Sequence, residues 1–213
     1  MMVYYNFHLK LYNNLKTYYI VMFKPDGFLK DKNDLKPLKK YPLSDTDIQK
    51  VLEPDTKIIT YPELYKYNHI DEIFDDKGRA IMLYLTENDT TGHWVGLIKK
   101  GNVIEMYDPY GFKPDTQPEN LGASKAFNKE HGQLYPKFTQ MVNNDGYRLI
   151  YNKVRSQPFE ADVNTCGRHV LTRILLKNLS LNKYNKLLSS IKKNNNINPD
   201  DLITAFTQEF IGK

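Results

Sequence analysis

The chain has very little cysteine or tryptophan, with one residue of each in 213, Cys166 and Trp94. A single cysteine cannot form a disulfide within the chain, so we expect a reducing compartment. No apolar run reaches the roughly 20 residues that a membrane-spanning helix needs, and the N-terminus lacks the apolar block of a signal peptide. These absences argue against a disulfide-rich secreted domain and against contact with a membrane.

The composition is otherwise that of an ordinary globular protein, with 40% hydrophobic and 26% charged residues. The length suits one buried core, so we predict a single domain over 1–213, in which 1–41 is an N-terminal segment whose role the sequence does not indicate. The net charge of +5 leaves room for an anionic partner. Basic residues gather in Lys30–Lys40 and Arg173–Lys193. Solvated surface is the plainer interpretation of them, and DNA binding is the alternative.

The residue pattern predicts an α+β protein with sheet in the middle of the chain and helices after it. Strand character is found at Thr17–Phe23, before a turn at Lys24–Gly27, and at Lys57–Thr60, Ala80–Leu85, Gly92–Lys99, Asn102–Asp108 and Tyr147–Val154. Helical patterns are found from Ser44 to Leu52, as short turns within Pro62–Phe74, between Asn120 and Met141, from Thr165 to Leu179, over Leu181–Lys193, and after the predicted cap Asn198.

Cys166 is the residue that points most directly to chemistry. It lies where a loop becomes a helix, with Thr165 as a capping residue before it and Gly167 after it. The positive end of a helix dipole lowers the pKa of a thiol and favours the nucleophilic thiolate. We therefore predict that Cys166 is a nucleophile.

A predicted hairpin brings an imidazole and a carboxylate together. If its turn is Lys100-Gly101, His93 lies directly opposite Asp108; if the turn is Gly101-Asn102, which suits type II′ better, the two are diagonal on the same face. A carboxylate beside a histidine fixes its tautomer and stabilises its protonated form, as in a nucleophile–base–acid triad. A cross-strand polar pair on a solvated face is the alternative, and the presence of Cys166 outweighs it.

Gln157 precedes Pro158 at the end of a predicted strand, nine residues before Cys166. Its amide, with the backbone N–H of Cys166, is placed to bind the oxyanion of a tetrahedral intermediate. On sequence position alone, a surface glutamine is the better interpretation.

The order His93-Trp94, Asp108, Gln157, Cys166-Gly167 resembles the adenovirus-type maturation proteases and the proteases of ubiquitin-like modifiers that share their fold. The segments Gly92–Val95 and Tyr107–Gly111 are most similar to the enzymes of large DNA viruses and virophages. The likeness runs from about Ala80 to Leu179, and nothing in 1–41 resembles a known family.

This resemblance implies an adenain/Ulp-like cysteine protease fold, with a mostly antiparallel sheet packed against the nucleophile's helix. It makes Cys166 the nucleophile, His93 the base, Asp108 the orienting acid and Gln157 the oxyanion donor, with no cofactor. Trp94, together with Gly167, would line the substrate channel, and a narrow channel would favour cleavage after glycine. The substrates would be viral capsid or core precursors, cleaved in the viral factory of the host cytoplasm and inside the virion.

The chain departs from the adenovirus enzyme in one respect, and several alternatives stay open. The chain has no second cysteine, so a disulfide-linked peptide activator like that of the adenovirus enzyme is not expected. His169, one helical turn after Cys166, is a weaker candidate for the base because no orienting carboxylate is evident, and the two residues alone are too few for a metal site. A protease that removes ubiquitin-like modifiers, or an inactive binding module of the same fold, are the alternative functions.

Overall fold

Five strands form one sheet, in the spatial order β1-β2-β3-β4-β5. A computed structural model describes residues 32–52, 54–160, 162–195 and 198–211. The strands are β1 Lys57–Thr60, β2 Arg79–Leu85, β3 Gly92–Lys100, β4 Val103–Tyr107 and β5 Arg148–Tyr151. The three central strands are antiparallel, and each edge strand runs parallel to its neighbour. The α+β fold is therefore confirmed, and the parallel edges follow from long connections that permit a crossover.

The described helices are α1 Lys32–Lys40, α2 Asp45–Val51, α3 Gln117–Asn120, α4 Lys125–Glu130, α5 Lys137–Asn144, α6 Cys166–Leu175, α7 Leu181–Asn195 and α8 Pro199–Ile211, with 3₁₀ turns at Tyr61–Lys66 and Ile70–Ile73. The predicted cap of α2 is confirmed, because Ser44 and Asp47 form a reciprocal capping box. The N-terminal segment contributes α1. The strand and turn predicted at 17–27 lie outside the described residues.

The sheet is buried on both faces, and β2 has no exposed residue. One face carries a core that includes Ile81, Leu83 and Trp94 and continues into α6, α7 and α8. The other carries Met82, Tyr84 and further residues that pack against the 3₁₀ turns and α5. This two-sided cover explains why β2 reads as a continuous apolar run.

The β3–β4 hairpin turns at Gly101-Asn102. Lys100 pairs with Val103 and Gly96 pairs with Tyr107, which fixes the register. Gly101 has φ +54°, whereas Asn102 does not have a positive φ, as a type II′ turn requires. Of the two predicted registers, the diagonal one is confirmed.

Helix α6 packs closely on the sheet because β3 carries a glycine beneath it. A Cβ on Gly96 would lie 3.2 Å from Val170 Cγ1 and 3.7 Å from Ile174 Cδ1, both on α6. This packing places the first turn of α6 near the start of β3, where His93 is found.

The basic segments are less available to an anion than their sequence indicated. Arg173 is fully buried, and its Nε and Nη2 lie 2.7 and 2.9 Å from the carboxylate of Glu105. Lys39 pairs with Asp201 at 2.6 Å. DNA binding stays a prediction, and Arg173 is removed from its surface. Within the described ranges, no helix is long and apolar enough to span a membrane.

Candidate active site

The site lies where the start of β3, the end of β4 and the first turn of α6 meet. Together they bring His93, Asp108 and Cys166 into one hydrogen-bonded series, although the three residues are spread over more than 70 positions of sequence. Gln157 reaches the same place from the loop that follows β5.

His93 and Asp108 are directly bonded, as the hairpin predicted. His93 Nε2 lies 2.9 Å from Asp108 Oδ1, and the two side chains are 3% and 0% exposed. Because Nε2 faces the carboxylate, Nδ1 is the ring nitrogen left to face the thiol. The tautomer with a proton on Nε2 is thus selected when the ring is neutral.

The Asp108 carboxylate is held from several sides. Oδ1 also accepts the Tyr110 backbone N–H at 2.8 Å, and Oδ2 accepts the Gln117 side-chain amide at 2.9 Å. The Asn152 side chain clamps the backbone of Asp108, accepting its N–H at 2.7 Å and donating to its carbonyl at 2.6 Å. A carboxylate with this many donors is fixed in orientation, and so is the imidazole that it holds.

The thiol of Cys166 is half-buried and hydrogen-bonded with the His93 ring. Burial acts to raise the pKa of this thiol, but the hydrogen bond and charge of His93, with the backbone N–H groups of Trp94 and Gly167, outweigh burial and lower it. Burial likewise acts to lower the pKa of His93, but Asp108 and the thiolate raise it to about 10. Both shifts favour the thiolate–imidazolium pair over the neutral thiol–imidazole pair.

Thr165 takes the N-cap position of α6 but does not cap it with its side chain. Its hydroxyl instead donates to Asp200 Oδ1 at 2.5 Å. The first backbone N–H groups of α6 therefore remain available to donate to the Cys166 sulfur and into the cleft. An oxyanion needs donors at this position.

Gln157 is 1% exposed and its amide is oriented by a carbonyl. Nε2 donates to Val163 O at 3.1 Å and to the Tyr110 hydroxyl at 3.2 Å. A carbonyl only accepts, so the NH₂ end must face Val163, and the amide is fixed as a donor towards Tyr110. Oε1 finds no hydrogen-bond partner among the described residues.

A cleft of about 260 Å³ opens over these groups. It is lined by Thr86, Glu87, Gly92, His93, Tyr110, Leu121, Gly122, Gln157, Asn164 and Cys166. The Tyr110 ring stacks on the His93 imidazole, with 4.6 Å between ring centroids and 18° between planes. The exposed ring of Phe159 extends this aromatic surface outwards, with 5.0 Å between its centroid and that of the Tyr110 ring.

Trp94 and Gly167 do not line this cleft. Trp94 is 8% exposed, packs in the core with Leu171, and donates from Nε1 to Leu43 O at 2.9 Å. A Cβ on Gly167 would lie 3.1 Å from Leu43 Cβ and 3.2 Å from Trp94 Cδ1. The predicted substrate-channel role of both residues is therefore wrong for this cleft. Side chains alternate along β3, so the Trp94 indole lies on the opposite face from His93, and Gly167 makes room for that indole.

His169 does have a carboxylate partner, contrary to the sequence argument against it. Its Nε2 lies 3.0 Å from Asp200 Oδ1, and the two side chains are 0% and 1% exposed. Asp200 lies on α8, so no local pattern around Cys166 indicated it. Among the described residues, no three His, Cys, Asp or Glu side chains are grouped to hold a metal ion.

Gln117, Asn152 and Tyr110 are the site residues that the sequence analysis missed. Tyr110 lies within Tyr107–Gly111, a segment noted for its resemblance to viral enzymes without a role for the tyrosine. The Gly111 N–H donates to Asp108 O at 2.8 Å and closes a turn there. Gln117 and Asn152 reach Asp108 from separate elements and carry no sequence signal.

The fold and the site together define an α+β protein with a thiol, an imidazole and a carboxylate in series at one cleft. No protein-family model matches the chain. It is 30% identical over 175 residues to a protein of the Sputnik virophage described as "Uncharacterized protein V9", an alignment that covers 82% of this chain and 98% of the relative. The chain belongs to the same family as that virophage protein.

A solved structure of the SUMO protease Ulp1, with its catalytic cysteine oxidised to a sulfinic acid, is similar to this chain with a TM-score of 0.39 and 16% identity. The superposition covers 90% of this chain and 89% of that one. Neither match gives specific support to the adenovirus-type proteases, which the sequence motifs resemble.

Proposed function

We propose that this chain is a cysteine endopeptidase that cleaves capsid or core precursor proteins during virion maturation. The observation that carries the proposal is the continuous series from the Cys166 thiol through His93 to Asp108, which faces an open cleft. The thiol pKa is lowered and the imidazole pKa is raised, as an activated thiolate needs. The viral relative supports a role in a virus.

In the proposed reaction, the Cys166 thiolate attacks the carbonyl carbon of the scissile bond. The carbonyl oxygen becomes an oxyanion, which the Cys166 backbone N–H and the Gln157 amide would bind. The Gln157 N–H that now donates to Tyr110 at 3.2 Å is the one that would donate to that oxyanion, since Val163 O accepts the other.

The His93 imidazolium then donates its proton to the leaving amine, and the C–N bond breaks to leave a thioester on Cys166. Water attacks the thioester while His93 takes its proton, and the carboxylic acid leaves as the thiolate returns. Asp108 orients the ring throughout and does not become protonated.

Cleavage after glycine belongs to the proposal on the strength of the motif resemblance. The Trp94 indole cannot supply the narrow wall first expected, because it lies in the core. The cleft-lining residue that covers the imidazole is Tyr110. Mass spectrometry of cleaved precursor termini tests this part, and cuts that mostly follow bulky or charged residues would contradict it.

Incubation with two substrate panels tests the function. One panel contains precursor proteins of the virion, and the other contains conjugates of ubiquitin-like modifiers. We expect cleavage of at least one virion precursor by the wild type and none by Cys166→Ala. Cleavage of the conjugates alone would favour the modifier-removing alternative. No cleavage in either panel, together with an unreactive thiol, would favour the binding module.

A further inference from the structure

Asp200 links the start of α8 to the start of the nucleophile's helix. One of its oxygens, Oδ1, accepts the Thr165 hydroxyl at 2.5 Å and His169 Nε2 at 3.0 Å. Thr165 directly precedes Cys166, and His169 lies one turn later on the same face. The carboxylate thus accepts hydrogen bonds from two points of α6, one directly before Cys166 and one a helical turn after it.

The residue before Thr165 is tied down as well. The Asn164 backbone N–H donates to Lys39 O at 2.8 Å, and its side chain donates to Lys40 O at 2.9 Å. Lys39 in turn pairs with Asp201, the neighbour of Asp200, at 2.6 Å. The chain entering Cys166 is therefore held between the end of α1 and the first turn of α8.

This network leaves polar atoms unpaired. His169 Nδ1 and Asp200 Oδ2 are buried and find no hydrogen-bond partner in the described part of the chain. Thr165 gives its hydroxyl to Asp200 and leaves the helix end uncapped. Buried unpaired groups and a missing cap both cost stability, so apolar packing here would make a more stable protein. Departures of this kind concentrate at functional sites.

We infer that Asp200 is a positioning residue of the active site, and that it acts through Thr165 and His169 to hold Cys166 against His93. This inference rests on the proposed chemistry of Cys166. Asp200 touches neither the thiol nor the cleft, and its effect is to fix the backbone from which the thiol and the Cys166 N–H project. A shift of that backbone would separate sulfur from imidazole and lose the charge pair.

Thr165→Val is the direct test, because it removes the hydroxyl and keeps the side-chain shape. Thr165→Ser keeps the hydroxyl and serves as the conservative variant. Thr172→Val is the matched control: Thr172 is also buried on α6, but its hydroxyl donates to Arg168 O at 2.9 Å, away from the cleft. For each protein, we would measure the rate of Cys166 alkylation by iodoacetamide against pH, kcat and KM on a cleaved peptide, and the unfolding temperature.

We expect Thr165→Val to raise the apparent thiol pKa by about one unit and therefore to slow alkylation about tenfold at pH values below the wild-type pKa, where the thiolate fraction falls tenfold per unit. kcat should fall by a similar factor with KM within about twofold, as expected for displaced reacting groups. Thr165→Ser and Thr172→Val should match the wild type in alkylation. A purely structural hydroxyl would lower the unfolding temperature of both valine variants and leave the thiol pKa unchanged.

A reactive wild type with an unchanged Thr165→Val would overturn this inference alone. A wild-type thiol no more reactive than a free cysteine would overturn the proposed function, and the inference with it. If Thr165→Val does not fold, His169→Gln and His169→Leu supply the second comparison. Glutamine can place a donor near the position of Nε2, so His169→Gln should retain more alkylation rate than His169→Leu, and equal rates would overturn the inference.

Discussion

Two buried histidine–aspartate pairs flank Cys166, and they are built alike. In each, Nε2 of the histidine meets Oδ1 of the aspartate, at 2.9 Å for His93–Asp108 and at 3.0 Å for His169–Asp200. They differ in what surrounds them. His93 lines the cleft and hydrogen-bonds with the thiol, whereas His169 Nδ1 finds no partner among the described residues.

The carboxylates differ in the same way. The second oxygen of Asp108 accepts the Gln117 amide, whereas that of Asp200 is unpaired within the described ranges. An orienting carboxylate therefore does not by itself make a histidine a base. Contact with the nucleophile and access to the cleft separate the two pairs, and we assign proton transfer to the first and positioning to the second.

The largest expected effect on kcat comes from removing the His93 imidazole, and the His169 imidazole is removed for comparison. His93→Ala should lower kcat by roughly 10³-fold, because it removes both the thiolate's partner and the proton donor to the leaving amine. His169→Ala should lower kcat only about tenfold and should lower the unfolding temperature. Steady-state kinetics with circular dichroism distinguish the two, and the reverse ranking would show that the wrong histidine was assigned as base.

Neutralising each carboxylate gives the next largest difference. Asp108→Asn should lower kcat by roughly 10²-fold, because Asp108 stabilises the imidazolium and fixes its tautomer. Asp200→Asn keeps an oxygen that can accept from Thr165, so its kcat should fall about tenfold or less. Kinetic measurements on both variants at equal folded fraction provide the check. Equal losses of kcat would contradict the division of roles.

The proton on His93 should depend on the charge of the Cys166 thiol. The His93 pKa of about 10 keeps the ring protonated at neutral pH. Because this pKa is raised, its contribution to stability is complete below the ordinary histidine value of about 6.5 and is lost as pH rises through about 10. Titration by NMR should show a lower His93 pKa in Cys166→Ala, since the thiolate charge is gone. A His93 titration curve unchanged by that substitution would contradict the charge pair.

The smallest expected effect concerns the extra donor that only the first pair has. Gln117→Leu removes the amide that reaches Asp108 Oδ2 at 2.9 Å and leaves the bond between Asp108 and His93 in place. kcat should fall severalfold, with the His93 tautomer retained. A loss as large as that of Asp108→Asn would mean that the amide, and not the charge, orients the ring.

Local pattern was sufficient to predict the parts of this site that neighbours in sequence determine. The glycine turn fixed the parity that places His93 and Asp108 on one face, and the capping pattern placed Cys166 at the first position of α6. The alternation of side chains along β3 could also be predicted from sequence. The face of the sheet on which Trp94 lies could not, because both faces are buried. A cover on both faces is a property of the whole fold.

The remaining contacts join residues far apart in sequence and have no periodic signal. Asp200 reaches Thr165 and His169 from a helix 31 to 35 positions away, and Gln117 reaches Asp108 across a loop. For this reason, the carboxylate partner of His169 could not be foreseen from sequence. Side-chain contacts between separate elements depend on how helices pack, which local propensity does not determine.

The central claim is that Cys166 and His93 form a thiolate–imidazolium pair, and the rate of Cys166 alkylation against pH tests it most directly. For the wild type, the rate should follow an apparent thiol pKa below the roughly 8.5 of a free cysteine. In His93→Ala, the apparent thiol pKa should rise to about 8.5 or above, because only burial and the helix end remain. A wild-type profile that titrates near 8.5, or one that His93→Ala leaves unchanged, would contradict the account.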